Sequence, residues 1–296
     1  MVAKIIDGNK VAAEIYKELE PEVERLKGKG VTPGLAVVLV GEAPASVSYV
    51  KSKTKACAQI GIYEETINLP LDTSEDKVLR IIDALNKDSK IHGVLVQLPL
   101  PEHISAEKVT SRISPDKDVD AFHPINMGKL LKGEPYLSPC TAHGIQQLIV
   151  RSGYHIEGKH VVICGRSDIV GKPLAAMLIQ KKGGANATVT VCHTGTRDLA
   201  SITRQADILI VAMGSPKAIT ADMVKQGAIV IDVGINRIED STATKGYRLV
   251  GDTDFEAIRE KAEAITPVPG GVGPMTVTML LYNTVAAAEK QSGRGG

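Results

Sequence analysis

At 296 residues the chain has room for two domains of roughly 150 residues each. Apolar residues at 43% and charged residues at 23% fit a globular protein that builds its core without disulfides or metals to hold it. A formal net charge of +1, with both signs mixed along the chain, argues against a nucleic-acid partner or an anionic membrane surface.

In chain order, Met1 to Gly8 lacks the apolar core of a signal peptide, and no apolar run approaches the ~18 residues of a membrane span; a cytoplasmic protein is expected. Residues 9–27 read as a helix, because Val11, Ile15, Leu19, Val23 and Leu26 recur at helical spacing among charges. Residues 34–40 form a short apolar run bounded by glycines, as in a buried parallel strand. Residues 44–60 make an amphipathic helix ending at Gly61, with Val47, Val50, Thr54 and Cys57 as its core stripe. A third helix contains residues 79–85, and residues 93–98 give a second buried strand ending at Pro99. These lengths imply α/β crossover units. Residues 118–140 are rich in Pro, Gly and Asn and irregular, as functional loops often are. A connecting helix follows at 144–151.

Beyond Gly158 the alternation is regular. Strands at 160–164, 187–192, 207–212, 228–233 and 248–251 alternate with helices at 173–182, 197–205 and 220–226, the form of a doubly wound parallel sheet. Residues 274–289 make a last apolar helix, expected to pack back on the first domain. Cys57, Cys140, Cys164 and Cys192 contain no Cys-x-x-Cys pair and read as buried hydrophobes in a reducing compartment, with no metal site expected.

The strand at 160–164 runs into Gly165-Arg-Ser-Asp-Ile-Val-Gly171, and a helix starts near Pro173. A glycine at the strand end lets the backbone turn tightly, and the helix N-terminus offers amides and partial positive charge to a phosphate. The spacing is not Gly-x-Gly-x-x-Gly, so a plain tight connection stays open beside a dinucleotide loop. At the end of the next strand, Val191-Cys-His-Thr-Gly-Thr196 has no carboxylate before Asp198 to repel a 2′-phosphate, and Arg166 offers a fork of donors. NADP is therefore favoured over NAD.

Tyr49 and Lys53 lie four residues apart on one face of the second helix, on the flank of its core stripe with Ala56 and Ile60. A lysine placed there is either partly desolvated, with a lowered pKa suited to proton exchange, or snorkels to water. Gln97-Leu-Pro-Leu-Pro101 closes a buried strand, where ligands of open α/β sheets bind. Lys117-Asp-Val-Asp120 opens the irregular segment, as a site or as a solvated turn. Thr266-Pro-Val-Pro-Gly-Gly-Val-Gly-Pro-Met-Thr276 is a stiff loop with exposed amides, a surface for a flat ligand or an interdomain linker.

Seven motifs in order resemble the bifunctional methylenetetrahydrofolate dehydrogenase/methenyltetrahydrofolate cyclohydrolase family over nearly the whole chain. They are Tyr49-Val50-x-x-Lys53, Gln97 to Pro101, Lys117 to Asp120, Pro139-Cys140-Thr141, Gly165 to Gly171, Asp232-Val-Gly-Ile-Asn236 and Pro269 to Thr276. The resemblance implies two α/β domains, the second Rossmann-like, with a folate cleft between them. Residues 1–141 with 275–296 would form the folate domain and 142–274 the NADP domain. It also implies a homodimer acting on tetrahydrofolate derivatives in one-carbon metabolism, with purine biosynthesis as a consumer.

By that resemblance Tyr49 stacks on the folate, Lys53 is the central catalytic group, Gln97 holds it, and Asp120 binds the pterin edge. Leu98, Pro99, Pro269, Gly270 and Gly271 join the substrate site. Gly165, Arg166, Ser167, Ile169, Thr194, Ile235, Gly273 and Thr276 take the dinucleotide, Ile235 by its backbone. The chain departs from the family pattern at Ala121 for glycine, at Ala142-His143 for proline, at Gly195 for a basic residue and at Thr253 for valine. Alternatives are a member with one activity only, a general nucleotide-linked dehydrogenase, and a non-catalytic nucleotide sensor.

Overall fold

The computed structural model describes residues 2–41, 44–243 and 246–293, the side chains of 44–48 aside. The chain divides into two compact units, one of residues 14–140 with 277–296 and one of residues 1–13 with 141–276.

The first unit is built on three parallel strands in the order Tyr63–Leu69, Gly34–Val40, Gly93–Val96. The central strand is buried on both faces, which is why it reads as an unbroken apolar run. Its Ala36, Val38 and Val40 pack with Val78, Ile82 and Leu85 of the helix Glu75–Lys87 and with Val94 and Val96. Ser74 caps that helix by accepting from the Lys77 amide. The strand Tyr63–Leu69 was not expected. It is an edge strand with mixed exposure, and its Glu64, Glu65 and Asn68 interrupt any apolar run.

Two short helices were not expected: Pro124–Leu131 lies inside the irregular segment, and Ala106–Arg112 precedes it. Proline opens the former, and the His123 ring accepts from the Ile125 amide. The connecting helix starts earlier than expected, at Cys140. The last helix, Val272–Ser292, belongs from Val277 onward to this unit. Asn283 donates to the carbonyls of Val119 and Ser138, and Lys290 pairs with Asp116 at 3.0 Å.

The second unit carries six parallel strands in the order Lys4–Ile5, Ala264–Ile265, Ile229–Asp232, Ile208–Val211, His160–Cys164, Thr188–Cys192. The chain's first residues belong here and not with the first unit, because Lys4–Ile5 pairs with Ala264–Ile265 at the sheet edge. Two-residue strands carry too little periodicity to be read from sequence. The strand expected at 248–251 leaves the parallel sheet. Residues Tyr247–Val250 instead pair antiparallel with Asn236–Glu239 in a separate ribbon. The helix expected at 220–226 shrinks to one 3₁₀ turn, Ala221–Met223, after which Val224 is already extended.

Candidate functional site

On the helix Pro44–Ile60, the buried face consists of Val50, Lys53, Ala56, Cys57 and Ile60. Thr54, expected in the core stripe, is exposed, and its hydroxyl bonds back to the Val50 carbonyl at 3.2 Å. The Val47 side chain, expected there too, lies outside the described residues. Lys53 takes the inward place and is only 4% exposed. Its Nζ donates to Gln97 Oε1 at 3.0 Å and sits 5.1 Å from the centre of the Tyr49 ring. Burial pulls the amine below the ordinary lysine range, while Asp120 and the thiols of Cys140 and Cys57 pull the other way.

Gln97 follows the strand Gly93–Val96, and its backbone amide continues the ladder to Val38. Its side-chain amide donates to the Leu98 carbonyl at 2.8 Å, which turns the oxygen toward Lys53. The peptide Leu98–Pro99 is cis.

Of Lys117, Asp118 and Asp120, only the last faces the amine. Lys117 donates to the carbonyls of Leu85 and Asp88, closing the C-terminus of the helix Glu75–Lys87. Asp118 accepts from the His123 amide and from Asn126 Nδ2. The Asp120 carboxyl is pushed up to about 6 by burial; Lys53 opposes the rise, Asp118 adds to it, and a hydrogen bond from Cys140 lowers it. Burial likewise lifts the Cys140 thiol well above its usual range, and the Asp120 charge lifts it further. Cys140 and Asn283, which donates 3.6 Å to the Cys140 sulfur, complete this cluster. Sequence reasoning gave neither a role; Pro139-Cys140-Thr141 was the only signal. A buried amine with a lowered pKa, beside a carboxyl raised to about 6, is the chemistry of a proton-exchanging pair.

In the other unit, Gly165 has φ +139, and a Cβ there would strike the Ala212 carbonyl oxygen; one at Gly171 would strike the Gly165 carbonyl. The backbone between them forms a cradle that side chains would fill. The helix Gly171–Leu178 begins beyond it, with no side-chain cap from Val170. Ser167 Oγ accepts from the Val170 amide at 3.2 Å. Arg166, Ser167 and Ile169 are exposed around this cradle, and Thr194 and Arg197 are exposed on the loop after the strand Thr188–Cys192. Asp198, the first carboxylate there, turns its side chain to the Ser201 amide and caps the helix Leu199–Thr203.

Beyond the strand Ile229–Asp232, Ile235 is 56% exposed. A Cβ on Gly273 would touch its Cδ1 at 3.9 Å. Gly270 has φ +104 and its carbonyl accepts from the Gly8 amide at 2.8 Å. A Cβ on Gly271 would come 2.6 Å from the Pro267 carbonyl oxygen. The peptide Val268–Pro269 is cis, and Thr276 shares a hydroxyl hydrogen bond of 3.1 Å with Thr141. Thr253, one of the departures from the family pattern, donates its buried hydroxyl to Asp232 Oδ2 at 2.6 Å. This glycine cradle, uncapped helix start and apolar Ile169 and Ile235 suit the phosphates and flat rings of a dinucleotide.

Two family models match the chain: the tetrahydrofolate dehydrogenase/cyclohydrolase catalytic domain over residues 6–120, and the NAD(P)-binding domain of the same family over residues 139–292. The bifunctional protein FolD of Dehalococcoides mccartyi is 57% identical over 295 residues, covering 99% of each chain. The crystal structure of the bifunctional FolD from Campylobacter jejuni superposes with a TM-score of 0.92 at 47% identity, covering 98% of this chain and 99% of that one. That of Trypanosoma brucei FolD, complexed with NADP cofactor and an inhibitor, gives 0.93 at 42% identity over 99% of both chains.

Proposed function

The chain belongs to the tetrahydrofolate dehydrogenase/cyclohydrolase family, and from that premise we propose that it oxidises 5,10-methylenetetrahydrofolate to 5,10-methenyltetrahydrofolate with NADP and hydrolyses the product to 10-formyltetrahydrofolate. The observation that carries this reading is the burial of Lys53 on Gln97 beside Asp120.

NADP, when bound, supplies the hydride acceptor, and the two nitrogens flanking the one-carbon unit stabilise the cation left behind. Gly165, Arg166, Ser167, Ile169, Thr194, Ile235, Gly273 and Thr276 would hold it. The exposed Arg166 and Arg197 guanidiniums and the Thr194 hydroxyl suit a 2′-phosphate, while the Asp198 carboxylate is tied to its own helix. This favours NADP over NAD.

Tyr49 stacks on the folate, and Asp120, when ionised, accepts a pair of pterin N–H donors. Leu98 and Pro99, which follow Gln97, shape the rest of the substrate site in this unit. In the second reaction, neutral Lys53 takes a proton from water as the water oxygen bonds to the methenyl carbon. The ammonium so formed returns that proton to N5 as the carbon–N5 bond breaks, and the new hydroxyl releases its proton to solvent as the formyl group forms. Gln97 Oε1 keeps the amine aimed throughout. A cytoplasmic homodimer supplying one-carbon units, purine biosynthesis among their uses, completes the reading.

The test supplies methylenetetrahydrofolate with NADP and NAD in parallel, follows nicotinamide reduction, and then follows decay of the methenyl product. Reduction with NADP followed by decay is expected. Reduction without decay leaves a dehydrogenase only; decay of added methenyl substrate without reduction leaves a cyclohydrolase only. The absence of both reactions overturns the proposal.

A further inference from the structure

Two buried carboxylates, unused in the chemistry above, tie together the strand ends beyond Ile208–Val211 and Ile229–Asp232. Asp252 is fully buried and accepts from three successive backbone amides: Met213 at 2.6 Å, Gly214 at 2.8 Å and Ser215 at 2.9 Å. Asn236 Nδ2 adds a fourth bond at 2.8 Å. The Asp252 amide donates to Asp232 Oδ1 at 2.9 Å, and Asp232 also accepts from the Gly234 amide and from the amide and hydroxyl of Thr253. Both groups only accept, as ionised carboxylates do. Among the described residues no lysine, arginine or histidine pairs with either, so backbone and side-chain dipoles alone offset the charge. Gly234 and Gly251 leave room for the arrangement, since a Cβ on the first would strike the Asp252 carboxylate and on the second that of Asp232.

The sheet order says what faces these strand ends. His160–Cys164, which feeds the glycine cradle, lies between Thr188–Cys192 on one side and Ile208–Val211 on the other, so the order reverses there. A dinucleotide crosses a doubly wound sheet at that reversal. Its adenosine ribose meets the end of the strand that follows the cradle in sequence, here Thr188–Cys192, and its second half lies over the opposite strands. Those opposite strand ends are the ones Asp252 binds, and their apolar side chains Met213 and Ile235 are exposed.

We propose that Asp252 is a positioning residue of the dinucleotide site, holding the backbone that faces the nicotinamide half and giving that face a negative charge that favours the oxidised cofactor over the reduced one. The inference rests on the dinucleotide reading above. The oxidised nicotinamide ring is a cation and the reduced ring is neutral, so a buried carboxylate held by dipoles alone, with no cationic side chain cancelling its charge among the described residues, discriminates between them. The reduced product is thereby released more readily than the oxidised reactant.

The test measures dissociation constants of oxidised NADP and of NADPH by calorimetry on the full chain. The wild-type ratio favours the oxidised form. Asp252→Asn keeps the size, removes the charge and, at the cost of the acceptor at one oxygen, narrows the ratio by on the order of tenfold. A folded Asp252→Asn variant that loses both affinities by one factor shows a structural role only and overturns the proposal. Should that variant not fold, Met213→Lys is compared with Met213→Gln: the lysine narrows the ratio and the glutamine does not, whereas equal ratios overturn the proposal. Wild-type protein that binds neither form overturns the dinucleotide reading, and this inference with it.

Discussion

Lys53 Nζ donates to Gln97 Oε1 at 3.0 Å, and Gln97 in turn donates to the Leu98 carbonyl at 2.8 Å. The second bond decides the first, because it commits the amide nitrogen to the backbone and leaves only the oxygen for the amine. A buried lysine with one neutral acceptor is held in place without being fixed in its charged form. Replacing it with methionine keeps the stem and the burial and removes only the proton carrier. Lys53→Met is therefore expected to fold and bind NADP while hydration of methenyltetrahydrofolate falls by at least about 10²-fold. Decay of added methenyl substrate reads this directly, and wild-type decay would remove Lys53 from the mechanism.

The Asp120 carboxyl, raised by burial from 3.8 to about 6, gives a second expectation. Only its ionised form accepts a pair of pterin N–H donors, so KM for methylenetetrahydrofolate should climb as pH drops below about 6. Asp120→Asn should have a high KM without that pH dependence. The stability sign runs the other way. A carboxyl with a raised folded pKa contributes stability that is fully present below 3.8 and lost as pH rises through about 6. Urea melts should therefore show wild type losing ground to Asp120→Asn across that window. A constant difference between the two proteins would contradict the burial of this group.

These two residues also mark how far the sequence could be read. The strands Gly34–Val40 and His160–Cys164 were legible because burial on both faces leaves an unbroken apolar run. Tyr63–Leu69 was not, since an edge strand half open to water keeps polar residues that break the run. Helical geometry put Lys53 on the flank of its stripe, yet the structure seats it inside and turns Thr54 out; an angle of rotation locates a face but not the neighbour that fills it. The Lys117 to Asp120 motif was visible as a unit, but its division into a helix cap, a loop clamp and one carboxyl facing the amine depends on partners outside it, five and eight residues on for Asp118 and tens of residues away for Lys117 and Asp120. Asp232 stood in a motif and Asp252 in none, yet the partners of neither could be read, as most of them are backbone amides.

Ala121, directly after Asp120, adopts φ +59 and is fully buried. The left-handed conformation costs an alanine about 1–2 kcal/mol. Glycine would relieve that strain but lose a buried methyl of about 0.8 kcal/mol and add unfolded-state entropy of about 0.5–1 kcal/mol. The terms nearly cancel, so Ala121→Gly should shift stability by less than about 1 kcal/mol. Ala121→Val has no such compensation, because a β-branched side chain resists this conformation and two more carbons must fit at a fully buried position. A loss of more than about 2 kcal/mol is expected in chemical denaturation. A valine variant as stable as wild type would show that the turn does not hold this conformation in solution.

Arg166 tests cofactor choice separately from the chemistry. Its guanidinium is exposed beside the Gly165 cradle, and the first carboxylate after the strand Thr188–Cys192 is bound to the Ser201 amide rather than offered to a ribose. Arginine can meet a phosphate with two parallel charge-assisted bonds, each worth roughly 1.5–3 kcal/mol. Arg166→Ala should weaken NADP binding by about tenfold or more and leave NAD binding nearly unchanged, because the pyrophosphate still meets the same backbone amides. Arg197→Ala alone should have a smaller effect if Arg166 carries most of the 2′-phosphate contact. Titration of both variants with both dinucleotides separates the cases. Equal losses for NADP and NAD in Arg166→Ala would mean that this side chain serves the shared pyrophosphate, and that selectivity lies on the Thr194 to Arg197 loop instead.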